Sequence, residues 1–277
     1  MVASQGQEEH QMNTRHTIAH VTDLHIGQQP SVDSDVQYKL RYLSNSDQHR
    51  DHFDTIIKDV GSRGITEIVF GGDIGTTDSN EWFFSRLRKQ PAKLALTLGN
   101  HDKINEVARH FDLAASAAVG KYYYLRDTPD IDLIFLDSSA NEIDGEQQIW
   151  LARTLAGSIK PLVIFVHHPI FAVASPFDES SGGALVRRKD LQRILADSKR
   201  RIDIFCGHYH MSDTASFGNV TQHLTPAGCY QIEKSPARLE LDVRQFGYRL
   251  IALDGSKVET ETVMLESPLG PAGIASA

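Results

Sequence analysis

KLALTLGNHD (93–102) is a short apolar run that stops at a glycine, an amide, an imidazole and a carboxylate. An apolar run of that length closed by Gly reads as a strand. Four other segments repeat the arrangement in order. TIAHV (17–21) leads to Asp23-Leu24-His25, ITEIVF (65–70) to Gly72-Asp73, PLVIFV (161–166) to His167-His168, and RIDIF (201–205) to Gly207-His208-Tyr209-His210. Strand ends that converge on one edge of a parallel sheet form a crevice, and ligands of open α/β sheets bind there.

Helical stretches separate these runs. One spans about 47–63, with Phe53, Ile56, Ile57 and Val60 at helical spacing, and another about 79–89, with Trp82, Phe83 and Leu87. INEVARHF (104–111) follows Asp102, which is placed to cap it. KYYYL (121–125) and IDLIFLD (131–137) read as a hairpin across RDTPD, and helices are expected near 146–156 and over RRKDLQRILAD (187–197). Alternating strands and helices predict a layered α/β fold with strands sandwiched between helices. From about 213 short strands follow one another, which predicts a second sheet packed on the first. Residues 1–16 and 266–277 are expected to be flexible tails around one domain over 17–265. The Ser/Gly-rich loop 171–186 is a candidate lid over the site, with Phe171 and Phe177 available to stack on a base or to be buried.

The 277 residues carry a formal charge of −8, and the basic triplets Arg187-Arg188-Lys189 and Lys199-Arg200-Arg201 read as solvated helix faces. That balance disfavours a nucleic-acid partner. Two cysteines, Cys206 and Cys229, make no disulfide framework and fit a reducing compartment, so the expected location is cytoplasmic. The polar start lacks the apolar core of a signal peptide, and no run of eighteen apolar residues offers a membrane span. Met12, just before the first strand, is an alternative start to Met1.

The clustered side chains are a donor set for two divalent cations. Asp23 and His25 offer a carboxylate and an imidazole from one turn. Asp73 follows two glycines and has two oxygens with which to bridge. Asn100 offers an amide oxygen, and His167, His208 and His210 add nitrogens. The remaining histidines are set aside: His49 and His52 as surface residues, His20 as structural, and His10, His16, His110 and His223 as without signal.

The series D-x-H, GD, GNHD, HH and GH-x-H resembles the calcineurin-like metallophosphoesterase superfamily over about residues 17–230. FLDSSANEIDGEQQIWL (135–151) and the HHP at 167–169 resemble the branch containing class III cyclic-nucleotide phosphodiesterases and glycerophosphodiesterases. The resemblance implies a four-layer α/β/β/α sandwich of two mixed sheets flanked by helices. It implies one metal on Asp23, His25, Asp73 and His210, and a second on Asp73, Asn100, His167 and His208. The ions would be Mn, Fe, Zn or Co. His101, with Asn100, is expected to meet the substrate phosphate, and Asp102 either orients His101 or caps the next helix.

The implied activity is in-line hydrolysis of a small phosphodiester, a cyclic nucleotide or glycerophosphodiester, by a hydroxide shared between the metals. His101 is expected to protonate the leaving alkoxide. GGDIGTTDS and LGNHDK lack the arginines with which protein Ser/Thr phosphatases hold a monoester, and Thr76 stands where purple acid phosphatases have a metal-binding tyrosine. The alternatives are a phosphomonoesterase, a hydrolase of nucleotide or lipid-linked pyrophosphates, or a non-catalytic scaffold. Homo-oligomers formed through the strand-rich end are a further implication of the resemblance.

Overall fold

The protein is described from a computed structural model covering residues 15–33, 39–44, 47–113, 119–175, 178, 183–234 and 239–267. The first sheet has the order β15-β14-β1-β4-β5, from β1 (His16–Val21), β4 (Glu67–Phe70), β5 (Lys93–Leu96), β14 (Gln245–Asp254) and β15 (Lys257–Glu266). The second has the order β10-β11-β9-β8-β7-β6. Its strands are β6 (Tyr124–Asp127), β7 (Asp132–Phe135), β8 (Leu162–Phe165), β9 (Ile202–Cys206), β10 (Asp213–Phe217) and β11 (Val220–Leu224). The strands that carry the polar clusters are parallel within each sheet: β1, β4 and β5 in one, β8 and β9 in the other.

Side-chain alternation builds the layers. Ile18, Val69 and Ile251 of the first sheet pack against Phe135, Val163, Phe165 and Phe205 of the second in one buried cluster. Their neighbours point the other way. Ala19, Ile68 and Phe70 meet Phe53 and Ile56 of α1 (Gln48–Ser62) and Phe83 of α2 (Ser79–Leu87). On the far side Leu162, Ile164 and Ile204 meet Leu151 and Leu155 of α4 (Gly145–Ala156) and Leu191 and Leu195 of α5 (Arg188–Asp197). Two sheets face to face with helices outside make the α/β/β/α sandwich expected from the sequence.

The strand-rich C-terminus does not form a second sheet of its own. β14 pairs antiparallel with β1, and β11 pairs parallel with β9, so the late strands complete both sheets. His16 opens β1 instead of closing a tail. Glu266 likewise closes β15, and of the expected tails only residues 1–14 and 268–277 lie outside the described residues. The helix expected over 104–111 is a single turn, α3 (Ile104–Val107), because the Asp102 carboxylate is committed elsewhere and Lys103 provides no side-chain cap.

His49 and His52 are not surface residues. Both lie on the buried face of α1, and each Nδ1–H donates to a backbone carbonyl, that of His25 (2.8 Å) and of Cys229 (2.9 Å). The His52 ring also stacks on Phe246 at 3.9 Å. Burial lowers both imidazoles to about 4, against the pull of the carbonyls they serve. A lowered histidine refuses a proton that the unfolded chain accepts below about 6.5, so its stabilisation is intact above that pH and is lost as the pH falls towards 4. Replacing His52 by Gln is therefore expected to reduce the acid slope of stability, measured by urea unfolding between pH 6.5 and 4, by up to one proton, about 1.4 kcal/mol per pH unit. An unchanged slope would contradict the burial of a neutral His52.

Candidate metal centre

Past their strand ends, the 22–28 and 71–76 loops run side by side and prolong the sheet. Asp23 N–H donates to Gly72 O (2.9 Å), Leu24 N–H and His25 N–H to Asp73 O (2.9 and 3.1 Å), and Ile26 N–H to Ile74 O (2.9 Å). The backbone is bent to present side chains. Of the eight non-glycine residues at positive φ among the described residues, five are site candidates: Asp23, His25, Asp73, His208 and His210. Such conformations cost about 1–3 kcal/mol each and persist where the surroundings impose them. Gly99 and Gly207 have no room for a side chain, since a Cβ would overlap the carboxylates of Asp73 and Asp23 respectively.

Six of the seven expected ligands converge. Asp73 Oδ2 lies 3.5 Å from His25 Nε2 and 3.3 Å from His167 Nε2, while Asp23 Oδ1 lies 3.4 Å from His210 Nε2 and 3.9 Å from His167 Nε2. One ring nitrogen each from His167, His168 and His208 also lie within 4.8 Å of one another. Asn100 is the exception. It stands between Gly99 and His101, both in contact with the Asp73 carboxylate, but its own side chain is exposed. His101 donates its backbone N–H to Asp73 Oδ1 (2.9 Å), and its half-buried ring meets that of His25 edge-on at 4.9 Å.

The outward-facing nitrogens decide what the inward ones can do. His25 Nδ1 is bonded to Gln28 Oε1 (2.8 Å) and His167 Nδ1 to the carbonyl of Gly71 (2.9 Å). In the neutral ring, with Nδ1 donating, Nε2 presents a lone pair, and among the described residues both Nε2 atoms are buried without a hydrogen-bond partner. In His208 the arrangement is inverted: Nε2 donates to Gly183 O (3.0 Å), which leaves Nδ1 as the lone-pair nitrogen. Histidines that bind metals are oriented in this way by an acceptor on the far nitrogen. Buried carboxylates beside bare imidazole nitrogens, in a mixed N/O set, fit borderline divalent cations.

Without a metal, a proton on His167 takes the place of a cation between the two carboxylates, and a bound cation would displace it. Burial alone would raise the Asp23 and Asp73 carboxyls; the imidazoles of His167 and His210 at Asp23, and of His167, His25 and His101 at Asp73, together outweigh it and hold both below the carboxylate range. Burial would lower His167, yet Asp73 and Asp23 push it up to about 10, whereas burial lowers His25 and His208 to about 3. Asp102 does not cap a helix. Its two oxygens accept N–H groups of Asp73 (2.7 Å), Ile74 (3.0 Å) and Gly99 (2.9 Å), so it fastens the 99–102 loop to the 71–76 loop. Burial and the nearby Asp73 charge push its carboxyl up to about 7, against these three donors.

Sequence reasoning missed several supports. Thr22 Oγ1 donates to Asp23 Oδ2 (2.7 Å), and His49 holds the carbonyl of His25. Gln147 clamps the backbone of Asp137 through two bonds of 2.8 and 2.9 Å, which accounts for the Gln of FLDSSANEIDGEQQIWL. His168 is as buried as His167 and bonds Ser138 through Nδ1 (2.9 Å). Spacing could have found His49, at i−4 from Phe53, but the Ser138–His168 contact, across 30 residues, leaves no local signal. His20 is structural as expected, buried and bonded to Thr225 Oγ1 (2.6 Å). In the 171–186 loop Phe171 stacks on Phe217 at 4.4 Å, and Asp178 is held by Arg188 (2.6 and 2.9 Å) and by Tyr209 (2.8 Å). Phe177 lies outside the described residues. Among the described residues no helix is long and apolar enough to cross a membrane.

Comparison with known proteins adds a family and relatives. A probable cyclic nucleotide phosphodiesterase of Fibrobacter succinogenes is 24% identical over 256 residues, 91% of this chain and 94% of that protein. A cAMP/cGMP dual specificity phosphodiesterase of Mycobacterium tuberculosis is 25% identical over 232 residues, 78% of this chain and 68% of that protein. Among solved structures, a dimetal phosphatase from Danio rerio superposes with a TM-score of 0.61 at 13% identity, covering 91% of this chain and 99% of the other. A purple acid phosphatase from yellow lupin gives 0.60 at 14% identity, covering 90% and 52%. These two establish likeness of fold. The family pattern described as calcineurin-like phosphoesterase matches residues 16–212, and on that span this chain belongs to the calcineurin-like phosphoesterase family.

Proposed function

We propose that the protein hydrolyses a cyclic nucleotide at a centre that binds two divalent cations. The observation that carries the reading is the set of inward-facing nitrogens on His25, His167 and His208, each oriented by a partner on its other nitrogen and grouped with Asp23 and Asp73. Asp23, His25, Asp73 and His210 would hold one cation, and Asp73, His167 and His208 the other, toward which the exposed Asn100 amide would have to turn to complete the set. Bound there, divalent cations of the Mn or Fe type supply Lewis acidity for the phosphoryl oxygens and acidify the attacking water.

The chain's own residues orient and protonate. Asn100 and His101 lie on the loop packed against Asp73, so a phosphate at the centre meets both. His101 hands a proton to the departing alkoxide, a contribution of about 10²–10⁴-fold. Imidazoles, not guanidinium groups, offset the charge of both carboxylates, and the stretches beside Asp73 and Asn100 contain no arginine. A singly charged diester needs less such help than a dianionic monoester. Relatives along most of the chain are named for cyclic-nucleotide phosphodiesterases, which favours that diester over a glycerophosphodiester.

The test uses purified protein reconstituted with Mn²⁺ and assayed on cyclic AMP, bis-p-nitrophenyl phosphate and p-nitrophenyl phosphate. Hydrolysis of both diesters is expected, faster than the monoester and abolished by a chelator. A preference for the monoester, or equal rates with and without chelator, would refute the proposal.

A further inference from the structure

The His101 ring is held by packing. Among the described residues neither of its nitrogens makes a hydrogen bond; its backbone N–H to Asp73 fixes the main chain only. Two rings set its attitude. Tyr42 stacks on His25 with centroids 4.8 Å apart and planes 14° apart, and His101 stands perpendicular to both, 79° from each, at 5.2 Å from Tyr42 and 4.9 Å from His25. Edge-to-face contact of this kind has a preferred geometry. His25 is tied to Gln28 and serves the metal site, so the contributor free of other duties is Tyr42.

Tyr42 is itself well fixed. It lies on β3 (Lys39–Ser44), which pairs with β2 (Gln28–Asp33) in a hairpin that begins three residues after His25. Leu40 and Tyr42 pack on the core, and the Tyr42 hydroxyl meets that of Tyr230 at 2.9 Å. Tyr230 is fully buried and lies 4.5 Å from the ring of His210. The hairpin therefore delivers one aromatic ring, anchored at its far end, to the side of the centre where His101 stands.

We propose that Tyr42 is a positioning residue for leaving-group protonation, holding the His101 imidazole where it can reach the departing oxygen. The inference rests on the phosphodiesterase reading above. In the step concerned, water oxygen bonds to phosphorus as the bond from phosphorus to the leaving oxygen breaks. The electron pair of that bond stays on the leaving oxygen, which takes the His101 proton. The proton released by the attacking water is left to restore His101.

The experiment compares cyclic AMP, whose alkoxide needs a proton, with bis-p-nitrophenyl phosphate, whose phenolate does not. Tyr42→Leu is expected to lower kcat on cyclic AMP about 10- to 100-fold, with KM and bound Mn²⁺ close to wild type, and to change the activated diester by less than about threefold. Tyr42→Phe, which keeps the ring, is expected to stay within about threefold of wild type on both. In a His101→Ala background Tyr42→Leu should add nothing, since the two act as one unit. Equal losses on both substrates, loss of Mn²⁺ from Tyr42→Leu, or full additivity with His101→Ala would each overturn the proposal. If Tyr42→Leu does not fold, a loss in Tyr42→Phe as large as that in His101→Ala overturns it, and wild-type behaviour of Tyr42→Phe supports it. A wild-type protein inert towards both diesters would instead refute the phosphodiesterase reading.

Discussion

Asp73→Asn is expected to empty the centre of metal and to lower diester hydrolysis by at least about 10³-fold. The substitution keeps the size of the side chain and an oxygen for the His101 N–H, but removes the charge that faces His25 at 3.5 Å and His167 at 3.3 Å. Both proposed cations share this carboxylate, so neither keeps its ligand set. The metal-free variant should fold, because the change relieves the buried negative charge beside Asp23. Its His167, no longer pushed up to about 10 by two carboxylates, should titrate nearer the ordinary histidine value. Metal analysis after dialysis, kcat/KM on cyclic AMP and an NMR titration of the metal-free protein check the three parts. Retention of both metals by Asp73→Asn would refute the bridging role.

Asp102→Ala is expected to cost about 3 kcal/mol of stability or more, and about 10²-fold in kcat/KM. Three backbone N–H groups, of Asp73, Ile74 and Gly99, end on this one carboxylate. Alanine strands all three beside the Asp73 side chain. The 99–102 loop, which carries Asn100 and His101, then loses its fastening to the loop that carries Asp73. Asp102→Asn should fall between, because its amide nitrogen cannot accept from an N–H. Urea unfolding and steady-state kinetics on the same preparations measure both effects. Stability within about 0.5 kcal/mol of wild type would show that the carboxylate does not fasten the loops.

The layers and the site were legible because each strand ended in chemistry. Five apolar runs closed by carboxylates and imidazoles predicted where those side chains would meet, and the structure gathers Asp23, His25, Asp73, His167, His208 and His210. What escaped depends on long-range contact. β14 joins β1 across more than two hundred residues, a pairing with no local signature, so the C-terminal strands were misread as a separate sheet. INEVARHF has helical composition, yet its cap residue serves the metal loops and one turn remains. His49 and His52 look polar in isolation, but they share a face with Phe53 and Ile56 and spend their N–H groups on the carbonyls of His25 and Cys229. Tyr42 carried no motif at all; only the folded hairpin lays its ring on His25.

The most direct measurement of the central claim is anomalous diffraction from crystals soaked in Mn²⁺. The account predicts two peaks, one at about 2.0–2.3 Å from His25 Nε2 and His210 Nε2, the other at that distance from His167 Nε2 and His208 Nδ1, with Asp73 touching both. A single peak, or two peaks away from Asp73, would contradict it.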